Sequence, residues 1–199
     1  MTSQERTVEF FFDVISPASY LAWKQLPKLV EETGAKIIYR PMFLPGLFKE
    51  AGSSSPITVP NKGKWLFHDL RRFAKRLGVK FWMNEHFPLN SVHVMRGLLA
   101  YVDDPRFLAL TDGFMDAMWA DNRDLTDAGV ISEIVSAAGI DPQEYASRST
   151  DPAIKHQLIE VSAEAAKRGA FGAPTFFVGK EMHWGQDRMD FVKEALLAG

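Results

Sequence analysis

The 199-residue chain contains no cysteine. This absence excludes a disulfide framework, a thiol nucleophile and a redox-active Cys-x-x-Cys pair. A disulfide oxidoreductase that works through its own thiols is therefore excluded. A chain without disulfides also fits a reducing compartment, and we expect a cytoplasmic location.

Charge of one sign and long apolar runs are also scarce. The formal net charge is −2 at pH 7 without a basic tail, which argues against nucleic acid or an anionic membrane as the main partner. No apolar run approaches the roughly 18–20 residues that a membrane span needs. The opening residues, MTSQERTVEFFF, lack the basic segment and long apolar stretch of an export signal. We therefore expect no membrane partner.

The sequence signatures of several enzyme classes are missing as well. The histidines show no paired metal-ligand spacing on one helix, so no metal site is expected; they are His68, His86, His93, His156 and His183. The sequence has no G-x-S-x-G elbow, no phosphate-binding P-loop and no G-x-G-x-x-G turn. A Ser-His-Asp hydrolase therefore has no support.

The first part of the chain predicts a β-α-β unit. Residues 8–14 are mostly aromatic or β-branched and stop at a Ser-Pro pair, which indicates a buried strand. Because proline suits the first helical position, we predict a helix over residues 16–32, with a kink at Pro27 and an end at Gly34. Residues 36–43 predict a second strand, parallel to the first and joined to it by a right-handed crossover.

The middle of the chain predicts helices only. Apolar residues recur at helical spacing in stretches that are separated by loops; these stretches are residues 66–77, 90–102, 104–120, 126–138 and 151–168. Asp-Pro pairs, which place a capping carboxylate before the first helical residue, stand at 104–105, 141–142 and 151–152. We therefore predict an all-helical region in the middle of the chain.

The end of the chain predicts two more strands and a helix. Short apolar segments flank Gly179, as in a hairpin, and residues 185–198 have the pattern of an amphipathic helix. The β-α-β and β-β-α halves predict one four-stranded sheet of the α/β class, because two strands at either end could not cover their faces alone. Residues 1–45 and 170–199 would form this thioredoxin-like domain, with residues 46–169 inserted as a helical domain.

Two motifs at opposite ends of the chain carry a sharper resemblance. EFFFDVISPASYLAW together with GAFGAPTFFVGKEMHWGQDRMDFV resembles the kappa-class glutathione transferase family, whose bacterial members include 2-hydroxychromene-2-carboxylate isomerases. FPLNSVHVMRGL and VPNKGKWLFHDLRRFAKRLG are similar to the helical domain of that family, which is inserted as in DsbA. The resemblance implies glutathione as the cofactor, a small aromatic substrate and a homodimer.

Ser16 has two compatible interpretations. Its hydroxyl can cap the helix that begins at Pro17, as aspartate does in the Asp-Pro pairs. Unlike a carboxylate, a neutral hydroxyl leaves the positive end of the helix available to an anion. In the family, the matching serine hydrogen-bonds the sulfur of glutathione and favours the thiolate. The resemblance therefore makes Ser16 the catalytic residue and a glutathione contact.

Ala173 and Pro174 precede the predicted third strand. A proline at the start of an edge strand needs no functional role. In thioredoxin-like proteins, however, the proline at this point is cis and lies beside the helix tip. The resemblance implies that Ala173 and Pro174 contact glutathione, with the backbone N–H and C=O of Ala173 binding the peptide backbone of the ligand.

Gln186 and Asp187 lie just before the last helix. On sequence alone, Asp187 is a helix cap or a first-turn acid. In the family, the equivalent pair binds the γ-glutamyl end of glutathione, and Asp187 would pair with its α-amino group. Gln186 departs from the Asn or Ser that is usual there, and Arg188 would brace Asp187.

The helical region offers further candidates. Lys62 and Lys64 flank a glycine at a helix start, where they can meet a carboxylate or remain solvated. Ser53 stands where many relatives place an asparagine that touches the tripeptide. Asn90 can cap a helix or face the substrate, and Trp65 can be a core residue or the wall of an aromatic site. We predict Ser53 and Lys62 as glutathione contacts, and Lys64, Trp65 and Asn90 as substrate contacts.

Three functions remain open from the sequence. The first is a glutathione-dependent isomerase that converts 2-hydroxychromene-2-carboxylate to trans-o-hydroxybenzylidenepyruvate by reversible thiolate addition, bond rotation and elimination. The second is a kappa-class transferase or peroxidase that consumes the thiol. The third is a non-catalytic thioredoxin-like module that binds peptides. Lys62, Lys64 and Asn90 favour a substrate that carries a carboxylate, and hence the isomerase.

Overall fold

The computed structural model describes residues 5–198. Four strands form one mixed sheet in the order β2-β1-β3-β4. β1 pairs with β2 in parallel and with β3 antiparallel, and β3 pairs with β4 antiparallel. The strands are β1 (Thr7–Phe12), β2 (Lys36–Pro41), β3 (Thr175–Val178) and β4 (Glu181–Trp184). The predicted four-stranded sheet of the α/β class is confirmed.

Helices form the rest of the regular structure in residues 5–198. Between β2 and β3, a stretch that is described throughout, the regular elements are all helices. The α-helices are α1 (Pro17–Trp23), α2 (Leu26–Thr33), α3 (Leu44–Glu50), α4 (Pro60–Leu77), α5 (Val92–Ala100), α6 (Phe107–Trp119), α7 (Ala128–Ala137), α8 (Pro142–Thr150), α9 (Pro152–Lys167) and α10 (Met189–Ala198). Within this part of the chain, none of them is long and apolar enough to cross a bilayer.

We propose the domain division given above, 1–45 with 170–199 around 46–169, on the basis of this element order. Its outermost positions, residues 1–4 and 199, lie outside the described residues.

Aromatic side chains hold β1 at the centre of the sheet on both of its faces. On one face the ring of Phe10 lies 5.0 Å from those of Phe12 and Phe176. On the other face the ring of Phe11 meets that of Phe177 edge-on at 5.5 Å. All three β1 phenylalanines are fully buried, as alternation of side chains across a covered strand requires. This packing fixes the strand whose end leads into the functional site.

The predicted first helix is in fact two helices. α1 ends at Trp23 and α2 begins at Leu26, so the helix is interrupted rather than kinked. Pro27 has no N–H to donate to the carbonyl of Trp23, four residues earlier, and the hydrogen-bond ladder stops there. The predicted end is confirmed, since Gly34 follows α2 with a φ of 64°.

The structure corrects one of the predicted Asp-Pro helix starts. Asp141 and Asp151 cap α8 and α9 as predicted, whereas α6 begins only at Phe107. Asp104 Oδ1 instead accepts hydrogen bonds from the backbone N–H and the Nε–H of Arg106, both at 2.8 Å. This local ion pair competes with helix capping for the carboxylate, and a turn replaces the first helical turn.

β1 and β2 each end two residues earlier than predicted, at Phe12 and Pro41 instead of residues 14 and 43. The backbone turns after β1 because the carbonyl of Asp13 accepts a hydrogen bond from the N–H of Ser16 at 3.0 Å. The predicted hairpin between β3 and β4 is confirmed, and Gly179 has the positive φ, 59°, that its tight turn requires.

Candidate functional site

Ser16 is the N-cap of α1. Its Oγ accepts a hydrogen bond from the backbone N–H of Ser19 at 3.1 Å, and Pro17 occupies the first helical position. The side chain is 4% exposed. The capping role predicted from the Ser-Pro pair is therefore present. Because α1 has only seven residues, the hydroxyl rather than a long helix is the main polar feature at this point.

The cis peptide bond between Ala173 and Pro174 lies directly beside Ser16. The Ser16 hydroxyl donates its proton to the carbonyl oxygen of Ala173 at 3.0 Å. The carbonyl of Pro174 accepts from the N–H of Gly185 at 3.1 Å. The N–H of Ala173 makes no hydrogen bond within residues 5–198, which leaves a backbone donor next to the serine. Its carbonyl retains one free lone pair.

A cavity of about 920 Å³ opens beside these two segments. Its walls come from the start of α1, from α3, from the loop and first turns of α4, and from the segment before β3. Most of the lining is apolar, and the polar lining residues other than Ser16 include Ser53, Ser54, Ser55, Thr58, Asn61 and Lys62. Such a cavity, apolar with a few polar groups on one wall, suits a small organic molecule.

Five of the predicted site residues meet at this cavity. Ser16 and Ala173 line one end, and Ser53, Lys62 and Trp65 line the side formed by the loop and α4. Lys62 and Trp65 are three residues apart, so they lie on one face of α4. Trp65 is 62% exposed even though it contributes to the wall, which places it at the mouth of the cavity.

Lys64 and Asn90 lie outside the cavity lining. Lys64 follows Lys62 by two residues, and a helix turns by about 200° over that interval, so its side chain leaves the opposite face. Asn90 Oδ1 accepts a hydrogen bond from the N–H of Val92 at 3.1 Å, at the start of α5. Asn90 therefore hydrogen-bonds the first N–H of α5 from one residue before the N-cap, which is Ser91.

Gln186 and Asp187 are placed in a short turn of helix before α10, beyond the cavity lining. Gln186 is buried, and its carbonyl oxygen accepts a hydrogen bond from Gln25 Nε2 at 3.1 Å. Asp187 is paired with Arg188, whose Nη1 lies 2.8 Å from its Oδ2. Arg188 thus contacts Asp187 as expected, and neither Gln186 nor Asp187 forms a hydrogen bond or an ion pair with Ser16.

An aromatic rim at the cavity mouth was missed in the sequence. The rings of Phe171 and Trp184 lie 4.8 Å apart, and both line the cavity while remaining 40% and 47% exposed. Gly172 makes this approach possible, since a Cβ there would stand 2.6 Å from the indole Nε1 of Trp184. The signal was an aromatic residue on each side of the Ala-Pro motif, and only the fold shows that the two rings are in contact, tilted by 51°.

Asp13 is a second residue that sequence reasoning missed. It is fully buried, three residues before Ser16. Its Oδ1 accepts from the N–H of Ile15, and its Oδ2 accepts from the N–H of Leu44 and the hydroxyl of Ser91. Burial raises the pKa of Asp13 from 3.8 to about 6, although the three hydrogen bonds act in the opposite direction. The signal in the sequence was a carboxylate directly after the three consecutive phenylalanines that end β1.

This fold matches a known domain family over most of its length. Residues 7–197 match the description "DSBA-like thioredoxin domain". The chain belongs to the DsbA-like thioredoxin family. The chain contains no cysteine, so its membership concerns the architecture and not thiol chemistry of its own.

Two curated relatives cover nearly the whole chain. A 2-hydroxychromene-2-carboxylate isomerase of Sphingobium xenophagum is 31% identical over 96% of this chain and 98% of its own length. The glutathione S-transferase kappa 1 of Rattus norvegicus is 29% identical over 94% of this chain and 89% of its own length. A solved structure of 2-hydroxychromene-2-carboxylate isomerase superposes with a TM-score of 0.87 at 26% identity, covering 96% of this chain and 95% of that one. These relatives are enzymes of an isomerase and glutathione transferase group, and the resemblance to that group is confirmed.

Proposed function

We propose that the protein is a glutathione-dependent isomerase that acts on 2-hydroxychromene-2-carboxylate or a similar aromatic carboxylate. One observation carries the proposal. The hydroxyl of Ser16 stands at the entrance of α1, 3.0 Å from the carbonyl before a cis proline, on the wall of a largely apolar cavity. The similarity to the named isomerases supports it, and 31% identity leaves the substrate itself as part of the proposal.

The groups at the cavity fit the thiol end of a tripeptide. Ser16 supplies one O–H donor, and Ala173 supplies a backbone N–H without a partner in the described part of the chain. The Ser53 side of the cavity can receive a carboxylate of the tripeptide, whereas Lys62, predicted above as a glutathione contact, is proposed to bind the substrate instead. Gln186 and Asp187 can receive the γ-glutamyl end only if the ligand extends past the lining, and we retain them as proposed contacts on the resemblance.

Bound glutathione would supply a thiolate that adds to the conjugated system of the substrate and leaves again after the bond has rotated. The chain itself contributes orientation and charge stabilisation. Ser16 can turn its proton from the carbonyl of Ala173 to an anionic acceptor, because a charge-assisted hydrogen bond is stronger than a neutral one. The apolar walls exclude water and strengthen that interaction.

The polar side of the cavity suits the carboxylate of the substrate. Lys62 is the lysine that lines the cavity, so we assign the carboxylate to it rather than to Lys64. Trp65, at the mouth, provides a flat apolar surface for an aromatic ring. A kappa-class transferase would use the same Ser16 but would not need Lys62.

Titration of the glutathione thiol by its ultraviolet absorbance tests the proposal. In the wild-type complex we expect the thiol to ionise below the pH at which free glutathione does. Ser16→Ala should raise this midpoint by about one pH unit, the equivalent of one charge-assisted hydrogen bond. It should also lower isomerase turnover by about a hundredfold, as loss of one donor to an anion does.

Ser19→Ala is the matched control, because the Ser19 hydroxyl is buried and has no hydrogen-bond partner among the described residues. An unchanged midpoint and full activity in Ser16→Ala would end the proposal. Parallel assays with a chromene carboxylate and an electrophilic haloarene separate the isomerase from the transferase or peroxidase. Glutathione binding without turnover of either compound would leave the peptide-binding module.

The homodimer and the cytoplasmic location belong to the same proposal and rest on the resemblance. Sedimentation of the purified protein, with and without glutathione, tests the homodimer. A single species of 22.4 kDa would contradict it.

A further inference from the structure

Asp13 is the one carboxylate that is buried within residues 5–198. A buried carboxylate is costly unless donors surround it. Asp13 lies three positions before Ser16 but does not line the cavity. Asp13 takes no direct part in the proposed reaction, but its surroundings indicate a structural role at the site.

The carboxylate of Asp13 joins three separate segments of the chain. Oδ1 accepts from the N–H of Ile15 at 3.0 Å, in the loop that leads to Ser16. Oδ2 accepts from the N–H of Leu44 at 2.9 Å, the first residue of α3, and from the hydroxyl of Ser91 at 3.0 Å, the residue before α5. The main-chain carbonyl of Asp13 also accepts from the N–H of Ser16 at 3.0 Å.

Each of these segments forms part of the cavity. Ile15 and Leu44 line it directly, and Leu89, two residues before Ser91, lines it as well. We propose that Asp13 is the positioning residue of this site and that its ionised carboxylate fixes the loop of Ser16 against α3 and α5, which sets the direction of the Ser16 hydroxyl. The consequence for catalysis rests on the proposed function, whereas the consequence for loop geometry does not.

The arrangement needs a carboxylate and not an amide or an acid. Each oxygen receives one backbone N–H, and a backbone N–H cannot reverse its direction as a hydroxyl can. An asparagine places its NH₂ group against either Ile15 or Leu44, whichever way it is turned. Protonation puts an O–H on one of the two oxygens, and that oxygen then accepts more weakly from its backbone N–H. The asparagine leaves a buried donor without an acceptor, and this loss costs more than a single hydrogen bond contributes.

The electrostatic surroundings of Asp13 make its hydrogen bonds to the Ser16 loop, α3 and α5 sensitive to pH. The contacts from the loop, from α3 and from the start of α5 are all uncharged, and the pKa is raised to about 6 by burial, not by a neighbouring charge. Protonation of Asp13 should therefore release the Ser16 loop as the pH falls through about 6. A competing effect has the opposite sign, since a buried negative charge near the site would disfavour a thiolate.

Nuclear magnetic resonance of the ligand-free protein tests the positioning role without glutathione. In the wild type, we expect the amide protons of Ile15, Ser16 and Leu44 to titrate together with one midpoint at about pH 6. In Asp13→Asn the three signals should not titrate, and in Ser91→Ala, which retains both backbone donors, they should titrate with a lower amplitude. Asp127→Asn, at the exposed cap of α7, is the control and should leave all three curves unchanged.

The same variants then report on the bound thiol. We expect Asp13→Asn to raise the thiol midpoint of bound glutathione and to lower kcat about tenfold at neutral pH, the loss of one buried hydrogen bond, with little change in KM for the second substrate. A folded Asp13→Asn with a wild-type or lower thiol midpoint would overturn the inference. If that variant does not fold, independent titration of the three wild-type amides overturns it. Failure of the wild type to bind glutathione removes the proposed function, and the amide titration still decides the role of Asp13.

Discussion

The hydroxyl of Ser16 and the carbonyl of Ala173 are joined by a hydrogen bond of 3.0 Å across 157 positions of the chain. This contact brings the start of α1 to the segment before β3, and the cavity opens beside it. In the protein alone, the Ser16 hydroxyl donates its proton to this backbone carbonyl, whereas in the proposed complex it would donate to the thiolate. The Ser16 oxygen caps α1 in both cases, so ligand binding and helix capping use different atoms of one side chain.

Removing the cap should cost stability as well as function. Ser16→Ala loses the hydrogen bond from the N–H of Ser19, and we expect the free energy of unfolding to fall by about 1 kcal/mol. Ser19→Ala should leave stability unchanged or raise it, since its buried hydroxyl has no partner in the described residues. Urea denaturation of both variants measures the difference. Equal losses of unfolding free energy in the two variants would show that the hydrogen bond from the Ser19 N–H contributes nothing beyond the loss of a buried hydroxyl.

Lys62 and Lys64 should differ in their effect on substrate binding, because they lie on opposite faces of α4. Lys62→Met should raise KM for an aromatic carboxylate by about fivefold with kcat nearly unchanged, the range of a partly exposed ion pair. Lys64→Met should have a smaller effect, because Lys64 points away from the cavity. Lys75→Met, in the last turn of the same helix, controls for loss of charge. A larger effect at Lys64 would contradict the assignment.

Gly172 should tolerate no side chain while Trp184 is present. A Cβ at Gly172 would stand 2.6 Å from the indole nitrogen, so we expect Gly172→Ala to lower the free energy of unfolding by about 1–3 kcal/mol, the usual cost of overpacking. It should also weaken glutathione binding, because Ala173 follows directly.

The double variant Gly172→Ala with Trp184→Ala tests the cause. Gly172→Ala should have little effect on stability when Trp184 has already been replaced by alanine. In the double-mutant cycle of wild type, two single variants and double variant, the coupling free energy should therefore cancel most of the effect of Gly172→Ala alone. Calorimetry for binding and urea denaturation for stability provide the two readouts. Additive effects would mean that another contact is responsible.

Stability should fall as the pH rises through the titration of Asp13. Its pKa is raised from 3.8 to about 6 in the folded protein, so the folded state binds this proton more tightly than the unfolded state does. Between about pH 4 and pH 6 this group should therefore lower the free energy of unfolding by about 3 kcal/mol, with no further change above that window.

Comparison with Asp13→Asn isolates this contribution, because all other groups are shared. Urea denaturation at several pH values should show the slope in the wild type and not in the variant. Parallel curves for the two proteins would contradict it. The ionised form required at the site is thus the less stable form of the fold.

Local signals in the sequence predicted the elements well. Gly34 ends a helix and Gly179 lies in a hairpin turn, because few other residues adopt a positive φ. This conformational preference depends only on the nearest few residues of the chain. Asp141 and Asp151 are caps for a similarly local reason. The predicted helix cap at Asp104 was wrong because Arg106 competes for its carboxylate. Both contacts are local, and the sequence does not show which of them is stronger.

The candidate site was predictable where a motif marks it and obscure where distant segments meet. Ser16 and Ala173 lie in motifs that the resemblance identifies. The partners of Asp13, in contrast, include Leu44 and Ser91, at sequence separations of 31 and 78. No local pattern encodes such a junction, nor the contact between the rings of Phe171 and Trp184. Lys62 could have been preferred over Lys64 once the phase of α4 was known.

A serine at the head of α1 has a consequence for damage by oxidants. If the reactive sulfur belongs to a diffusing tripeptide, an oxidised sulfur departs with its carrier and a fresh molecule replaces it, whereas an enzyme with its own thiol must be repaired in place. The absence of cysteine from this chain would then make its activity follow the supply of reduced tripeptide around it.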